Sequence, residues 1–249
     1  MDFDNKPTGV EMTPERIQIC DAVKSICDKF DDNYWRGKDQ RHEFPHEFHT
    51  AIAEGGWMGI TMPEKYGGAG LGVTEAALMM QTVANSAGAI SACSTFHINL
   101  FGPHPIVVHG TEEQKQRMLP PLISGEHKVA FGVTEPDAGL DTTRITTRAV
   151  KDGNRYIVNG QKVWTTTGQH ADKIMLLTRT TPRDKVAQRT DGLTLFFTDF
   201  NRDHIEVREI DKLGRGAVDS NSTFYHDLPV PEEERIGAEG DGFRLLLDS

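Results

Sequence analysis

The chain has 249 residues, 26% of them charged and 8% aromatic, with a formal net charge of −10 at pH 7. That balance excludes a nucleic-acid binder, which needs a basic stripe to neutralise phosphates, but leaves room for an anionic cofactor held by a few local donors. No apolar run reaches transmembrane length, and the acidic start Met1-Asp2-Phe3-Asp4-Asn5 lacks both the apolar core of a secretory signal and the arginines of a transit peptide. A cytoplasmic protein that engages no membrane is expected. The three cysteines fit a reducing compartment. Cys20 and Cys27 sit on one predicted helix with roughly 10 Å between their Cα atoms, too far to bridge.

Up to about residue 125 the chain reads as helices. Thr13-Pro14-Glu15 is an N-cap followed by proline at the first helical position. Ile17, Cys20, Val23, Cys27 and Phe30 then recur at helical spacing and predict one buried face. A second helix is expected from Pro45 to Gly55-Gly56, a third from Thr74 to about Ser86, and a fourth between Ala89 and His109, interrupted by Pro103 and Pro105. Thr111-Glu112-Glu113-Gln114 is a capping box whose helix should end near Pro120-Pro121.

After Gly125 the period shortens. Strands are expected at 129–133, 146–151, 155–158, 162–166, 174–178, 193–198, 205–209 and 223–225, punctuated by Asp152-Gly153, Asn159-Gly160 and Asp191-Gly192 turns. Strands at that density predict a compact antiparallel barrel or sandwich. The fold class is therefore α+β. It comprises a helical domain over residues 1–125, a β-domain over 126–239, and a further helix beginning within 240–249.

Two conspicuous runs carry no chemistry. The glycines of Pro63–Gly72 lack the preceding strand and the spacing of a nucleotide loop, so they read as a connector. In His42–His49, Pro45 breaks any helix that would align the histidines, and no metal site is assigned. No nucleophile elbow or Ser-His-Asp pattern supports hydrolysis.

Chemistry concentrates in two other stretches, Phe131-Gly132-Val133-Thr134-Glu135-Pro136-Asp137-Ala138-Gly139-Leu140-Asp141 and Asn159-Gly160-Gln161-Lys162-Val163-Trp164-Thr165-Thr166-Thr167-Gly168. Both place hydroxyls beside large aromatics at strand ends, which suits a flat heteroaromatic ligand with apolar faces and polar edges. On pattern alone, Thr134, Trp164, Thr165 and Thr166 are also good strand formers, Trp164 then being a core residue.

Taken with Gly110-Thr111-Glu112-Glu113-Gln114-Lys115 before them and Lys212-Leu213-Gly214 and Val230-Pro231 after, the two stretches resemble the acyl-CoA dehydrogenase family of flavoproteins. The resemblance implies FAD as cofactor. Phe131, Val133 and Thr134 would line the flavin, with the Thr134 hydroxyl at its pyrimidine edge. Trp164 would pack on the ring system, with Thr165 beside it and Thr166 donating toward N5. Gly139 and Leu140 would meet the acyl-CoA arm. Leu140 stands where many members have serine, so only backbone contacts are expected there.

The implied reaction is α,β-dehydrogenation of an acyl-CoA thioester to the 2-enoyl-CoA, with electrons passed to an electron-transfer flavoprotein-like acceptor. The alternatives are an acyl-CoA oxidase or another flavoprotein of the same superfamily, or a non-catalytic binding module keeping the fold. The family's base is a glutamate on a C-terminal four-helix bundle. It is expected beyond Ser249, so no catalytic residue is assigned within the chain, and Glu135 is expected to structure its turn. The resemblance also implies a homotetramer or homodimer at full length, and an inactive chain without the bundle.

Overall fold

In the computed structural model, which describes residues 9–247, seven α-helices precede the first strand among the described residues. The acidic start at residues 1–5 lies outside the described residues, as do the last two. Helix α1 (Pro14–Cys27) begins as expected, with the Thr13 side chain accepting from Arg16 N at 3.4 Å. Its buried face is Ile19, Val23 and Cys27, however, and Ile17 is 44% exposed. Both sets repeat at helical spacing and share Val23 and Cys27, so only the packing partner distinguishes them.

Helix α2 (Asp32–Arg41) was not foreseen. It is capped by Asp31, which accepts from Tyr34 N at 2.9 Å, and it buries only Trp35 and Lys38. Helix α3 (His46–Glu54) follows Pro45, and α4 (Val73–Ala84) starts at Gly72. The stretch expected to be interrupted by prolines resolves into α5 (Ala89–Phe101) and α6 (His104–His109). Helix α7 (Glu112–Ile123) opens on the expected capping box: Gln114 N donates to Thr111 Oγ1 at 3.2 Å, and Thr111 N to Gln114 Oε1 at 2.9 Å. It continues through Pro120 and Pro121 to Ile123 instead of ending there. Burial of Leu119, Leu122 and Ile123 holds that last turn in place, overriding the prolines.

Eight strands follow: β1 (Val129–Gly132), β2 (Arg148–Asp152), β3 (Arg155–Thr166), β4 (Lys173–Arg179), β5 (Leu193–Asp199), β6 (Ile205–Glu209), β7 (Ser220–Pro231) and β8 (Arg235–Ile236). A short helix, α8 (Gly242–Leu246), comes last. The strands form one sheet in the order β6-β7-β3-β2-β4-β5-β8, with β1 paired to β4. The expectation of purely antiparallel pairing is corrected at two places, because β1 and β2 both pair with β4 in parallel.

Asn159-Gly160 does not turn the chain, and β3 runs unbroken through it. The Asn159 amide donates to Asp227 Oδ1 at 2.8 Å on β7, where an extra residue is accommodated by Asp227 at φ 48°. Gly160 itself passes against Thr147 at φ 152°, and a Cβ there would meet Thr147 Oγ1 at 2.5 Å. The glycine answers to close packing rather than to a hairpin.

Three clusters of apolar side chains hold the molecule together. One lies among α1 to α5 and includes Val23, Phe48, Ile52, Met79 and Phe96. A second joins α5, α6 and α7 to one face of the sheet through Ile98, Leu119, Met175, Leu177, Leu195 and Phe197. The third consists of sheet residues and the loops beside them, among them Tyr156, Val158, Ile174, Leu176, Phe196 and Tyr225. Successive residues of β4 and β5 therefore serve opposite cores, and the sheet folds around an interior of its own.

Candidate functional site

The two motif stretches meet where β1 ends and β3 is most irregular. After β1, Glu135 and Ala138 close a tight turn through paired backbone hydrogen bonds of 3.3 and 3.1 Å. Pro136 and Asp137 project from it, and beyond it Gly139 and Leu140 are exposed, Leu140 fully. On β3 the register with β7 shifts between Lys162 and Thr165, so one extra residue is fitted there. The strain falls on Trp164, which takes φ 62° and is 60% exposed. For a bulky residue this is an unfavourable conformation that the surroundings must impose. The bulge turns the indole out of the sheet, so Trp164 is not the core residue a strand pattern alone suggests.

The stretches are cross-linked directly. Val163 N donates to Thr134 O at 2.9 Å. Beneath them lies an ion pair: Lys162 is 0% exposed and its Nζ donates to Glu135 Oε1 at 3.0 Å and to Val133 O at 2.9 Å. Glu135, 5% exposed, accepts from Thr146 N at 2.7 Å, Thr146 Oγ1 at 2.9 Å and Thr147 N at 2.9 Å. Burial works to raise the Glu135 pKa, but Lys162 and the threonine donors outweigh it and hold the carboxyl below its ordinary value. Complete burial pulls Lys162 down to about 8, against the opposing pull of Glu135. Glu135 is thus an organiser of the turn, as expected.

Sequence reasoning did not identify Lys162. Its signal was the alternation of β3, which puts Tyr156, Val158 and Lys162 on one buried face and so demands a counter-charge for the lysine.

The structure brings Phe131, Thr134, Trp164 and Thr166 to one part of the fold and turns two inward, Thr165 and Val133, the latter into the core beneath α5 to α7. Phe131 is half-buried with its ring 5.4 Å from Phe101, edge-on. Val133 and Thr134 follow it, and Val163 ties Thr134 to the strand that carries Trp164 and Thr166. Among the described residues the Thr134 and Thr166 hydroxyls have no hydrogen-bond partner, which leaves both free for a ligand. The Thr165 hydroxyl points inward, 3.2 Å from Thr223 Oγ1, which lies 3.0 Å from the Tyr225 hydroxyl. Thr165 can therefore offer a ligand only its backbone. Two unpartnered hydroxyls beside two aromatic surfaces fit the edges and faces of a flavin.

Next to the motif turn is an open pocket of about 600 Å³, lined by Asp141, Thr143, Thr146 and the arginines Arg144, Arg179, Arg183 and Arg189. Arg179 is itself structural, donating to Thr143 O at 2.8 Å and Ile145 O at 3.2 Å. The remaining three are exposed, and the pocket is suited to an anion. No motif in the sequence marks it, because its arginines come from separate segments at 144, 179 and 183–189. Among the described residues no group of His, Cys, Asp or Glu could hold a metal, and no helix is long and apolar enough to cross a membrane.

A helical region packed on a mixed sheet, with unpartnered hydroxyls and an outward-turned indole near the ends of β1 and β3, is a framework suited to a flavin. Residues 13–126 match the acyl-CoA dehydrogenase N-terminal domain and residues 130–228 the acyl-CoA dehydrogenase middle domain, and the chain belongs to the acyl-CoA dehydrogenase family. Members of that family are FAD-dependent oxidoreductases.

An acyl-CoA dehydrogenase of Bacillus subtilis is 32% identical over 239 residues, covering 96% of this chain and 62% of that protein. The crystal structure of acyl-CoA dehydrogenase from Geobacillus kaustophilus superposes with a TM-score of 0.87 at 31% identity, over 95% of this chain and 61% of that one. A solved chain described with the electron-transferring flavoprotein of Acidaminococcus fermentans gives a TM-score of 0.85 at 30% identity, covering 100% of this chain and 62% of that one. The chain thus spans about three fifths of the length of these relatives.

Proposed function

We propose that this chain supplies the flavin-facing surface, and part of the acyl-CoA surface, of an FAD-dependent acyl-CoA dehydrogenase. One observation supports the reading: the Val163–Thr134 hydrogen bond ties the loop after β1, with its unpartnered Thr134 hydroxyl, to the strand that carries the outward-turned Trp164 and the unpartnered Thr166 hydroxyl. Thr134 and Thr166 would hold the polar edges of the cofactor, while Phe131 and Trp164 would cover its apolar surface and exclude water, with Val133 behind them in the core. Bound FAD would supply the hydride acceptor for conversion of an acyl-CoA thioester to the 2-enoyl-CoA. Gly139 and Leu140 would meet the acyl-CoA arm through their backbone. The arginine-lined pocket beside them would take the phosphates of the CoA nucleotide, whose charge its exposed guanidinium groups complement.

Glu135 does not serve as the base that removes the α-proton. Its carboxylate is buried, bonded to Lys162 and two threonines, and held at a lowered pKa. That base would come from a glutamate beyond Ser249. On the same reading the chain divides at about residues 125 and 239, an external flavoprotein accepts the electrons, and the whole protein is a cytoplasmic homodimer or homotetramer.

The test is an FAD titration followed by tryptophan fluorescence, in a chain extended to the length of its relatives. FAD should quench emission, Trp164→Phe should remove most of the quenching, and Trp35→Phe or Trp57→Phe should not. Quenching that survives Trp164→Phe would show that the site is misplaced, and a complete absence of quenching would refute the FAD reading.

A further inference from the structure

Thr134 is gripped through its neighbours. The residue before it and the residue after it are both bonded to a single ammonium group, since Lys162 Nζ donates to Val133 O at 2.9 Å and to Glu135 Oε1 at 3.0 Å. Thr134 O is held in turn by Val163 N at 2.9 Å, one residue beyond Lys162 and one before the strained Trp164. The carboxylate is anchored on its far side by Thr146 and Thr147. Residues 133–135 are therefore fastened to residues 162 and 163 by successive bonds, and nothing in this arrangement can slide without stranding a buried charge.

A pair so deeply buried is a weak source of net stability, because the desolvation of both ions offsets their attraction. Neutral side chains of similar volume commonly hold a fold as well. What a neutral pair lacks is direction: it cannot hold Val133 O and Glu135 at fixed distances from one atom of β3. We propose that Lys162 and Glu135 are positioning residues, a clamp that fixes Thr134 against Val163 and Trp164 and so sets the shape of the flavin surface. The clamp stands on the geometry alone, and its consequence for flavin rests on the functional reading given above.

The test compares the unaltered protein with Lys162→Met combined with Glu135→Gln. Glutamine keeps a carbonyl oxygen for one of the two threonine amides, which bond different oxygens of the carboxylate, while the charges vanish together. The single Lys162→Met change strands the carboxylate and is expected to unfold, so the double variant decides. It should fold, with a thermal midpoint lowered by no more than the loss of one buried hydrogen bond explains. Even so, its Val163 amide should exchange with solvent about tenfold faster or more. Its FAD affinity should fall about tenfold or more, with the Trp164 emission shifted. A purely structural role predicts that recovery of the midpoint brings recovery of both.

A double variant with unchanged exchange and unchanged FAD affinity overturns the proposal. One that cannot fold also overturns it, because the pair would then serve the fold rather than the site. If the unaltered protein itself takes up no FAD, the functional reading fails, and exchange at Val163 still decides whether the clamp exists.

Discussion

Thr166 lies at the end of β3, opposite Ser220 on β7, mostly buried and with a hydroxyl that no other described residue engages. Replacing it with valine keeps the branched shape that suits a strand and deletes only the hydroxyl. If the hydroxyl merely helped to hold FAD, the change would cost about 0.5–1.5 kcal/mol in binding. A donor aimed at charge that develops during reaction is worth more, about 3–4 kcal/mol in the barrier. Thr166→Val is therefore expected to bind flavin nearly normally while reduction by acyl-CoA slows by at least about tenfold. Stopped-flow reduction at the unaltered rate would remove Thr166 from the chemistry. The neighbouring threonine shows why residue type alone is insufficient. Thr165 has the same side chain, yet the bulge at Trp164 reverses the phase of the strand and commits its hydroxyl to Thr223. The two stretches that would form a hydroxyl-and-aromatic site were legible in the sequence; the direction of each side chain was not.

Helix α3 and the loop after β3 meet in a knot of rings. Phe44 lies 4.8 Å from His170 and 4.9 Å from His46, and the two histidines are 5.3 Å apart. His49, one turn along α3, is buried with Nε2 unpartnered. Burial, with Lys128 and His46 adding to it, lowers the His49 pKa from 6.5 to about 4. His46 and His170 are lowered as well, again chiefly by burial. Above pH 6.5 these rings are neutral in both folded and unfolded chains and stability is unaffected. Between 6.5 and about 4 the unfolded chain binds protons that the folded chain refuses, so stability falls as pH falls. His49 alone accounts for about 3 kcal/mol of that loss. His49→Phe fills the same space without titrating, so urea midpoints measured from pH 7 to pH 4 should decline less steeply in the variant. Equal slopes would exclude His49 as the source.

The same part of the chain shows what kind of element a sequence reveals. Thr13 and the Thr111–Gln114 box announced their helices because a cap is a local bond. Helix α2 had its Asp31 cap, but it interposes Gly37 and buries only Trp35 and Lys38, so no apolar stripe marked it. Asn159-Gly160 misled in the opposite direction, because an ordinary turn signal was spent on passage beside Thr147.

Across the whole molecule the two regions share a continuous apolar core, yet several large side chains at and near the proposed site face solvent: Trp164 at 60%, with Leu140 and Leu213 fully exposed. Val73 and Ile90, on the helical side, are also exposed. These are the surfaces that a further domain of a longer relative would be expected to cover, and uncovered apolar area promotes association. The electrostatics lead the same way. The buried carboxylate of the motif turn, Glu135, is already shared among Lys162, Thr146 and Thr147, and freeing it would break the bonds that hold Thr134. A positioned base is worth about 10²–10⁴-fold in rate, and Glu135 is not available to provide it. Residues 1–249 alone are therefore expected to bind hydrophobic dye, to hold FAD weakly, and to leave acyl-CoA unchanged. Supplying the glutamate-bearing helical bundle as part of one chain should lower dye binding and bring flavin retention and acyl-CoA dehydrogenation together. The decisive comparison is flavin content, light scattering and anaerobic flavin bleaching by acyl-CoA for the two proteins side by side. A monodisperse, yellow 249-residue chain whose flavin is bleached by acyl-CoA would show that the base lies within this chain and overturn this account.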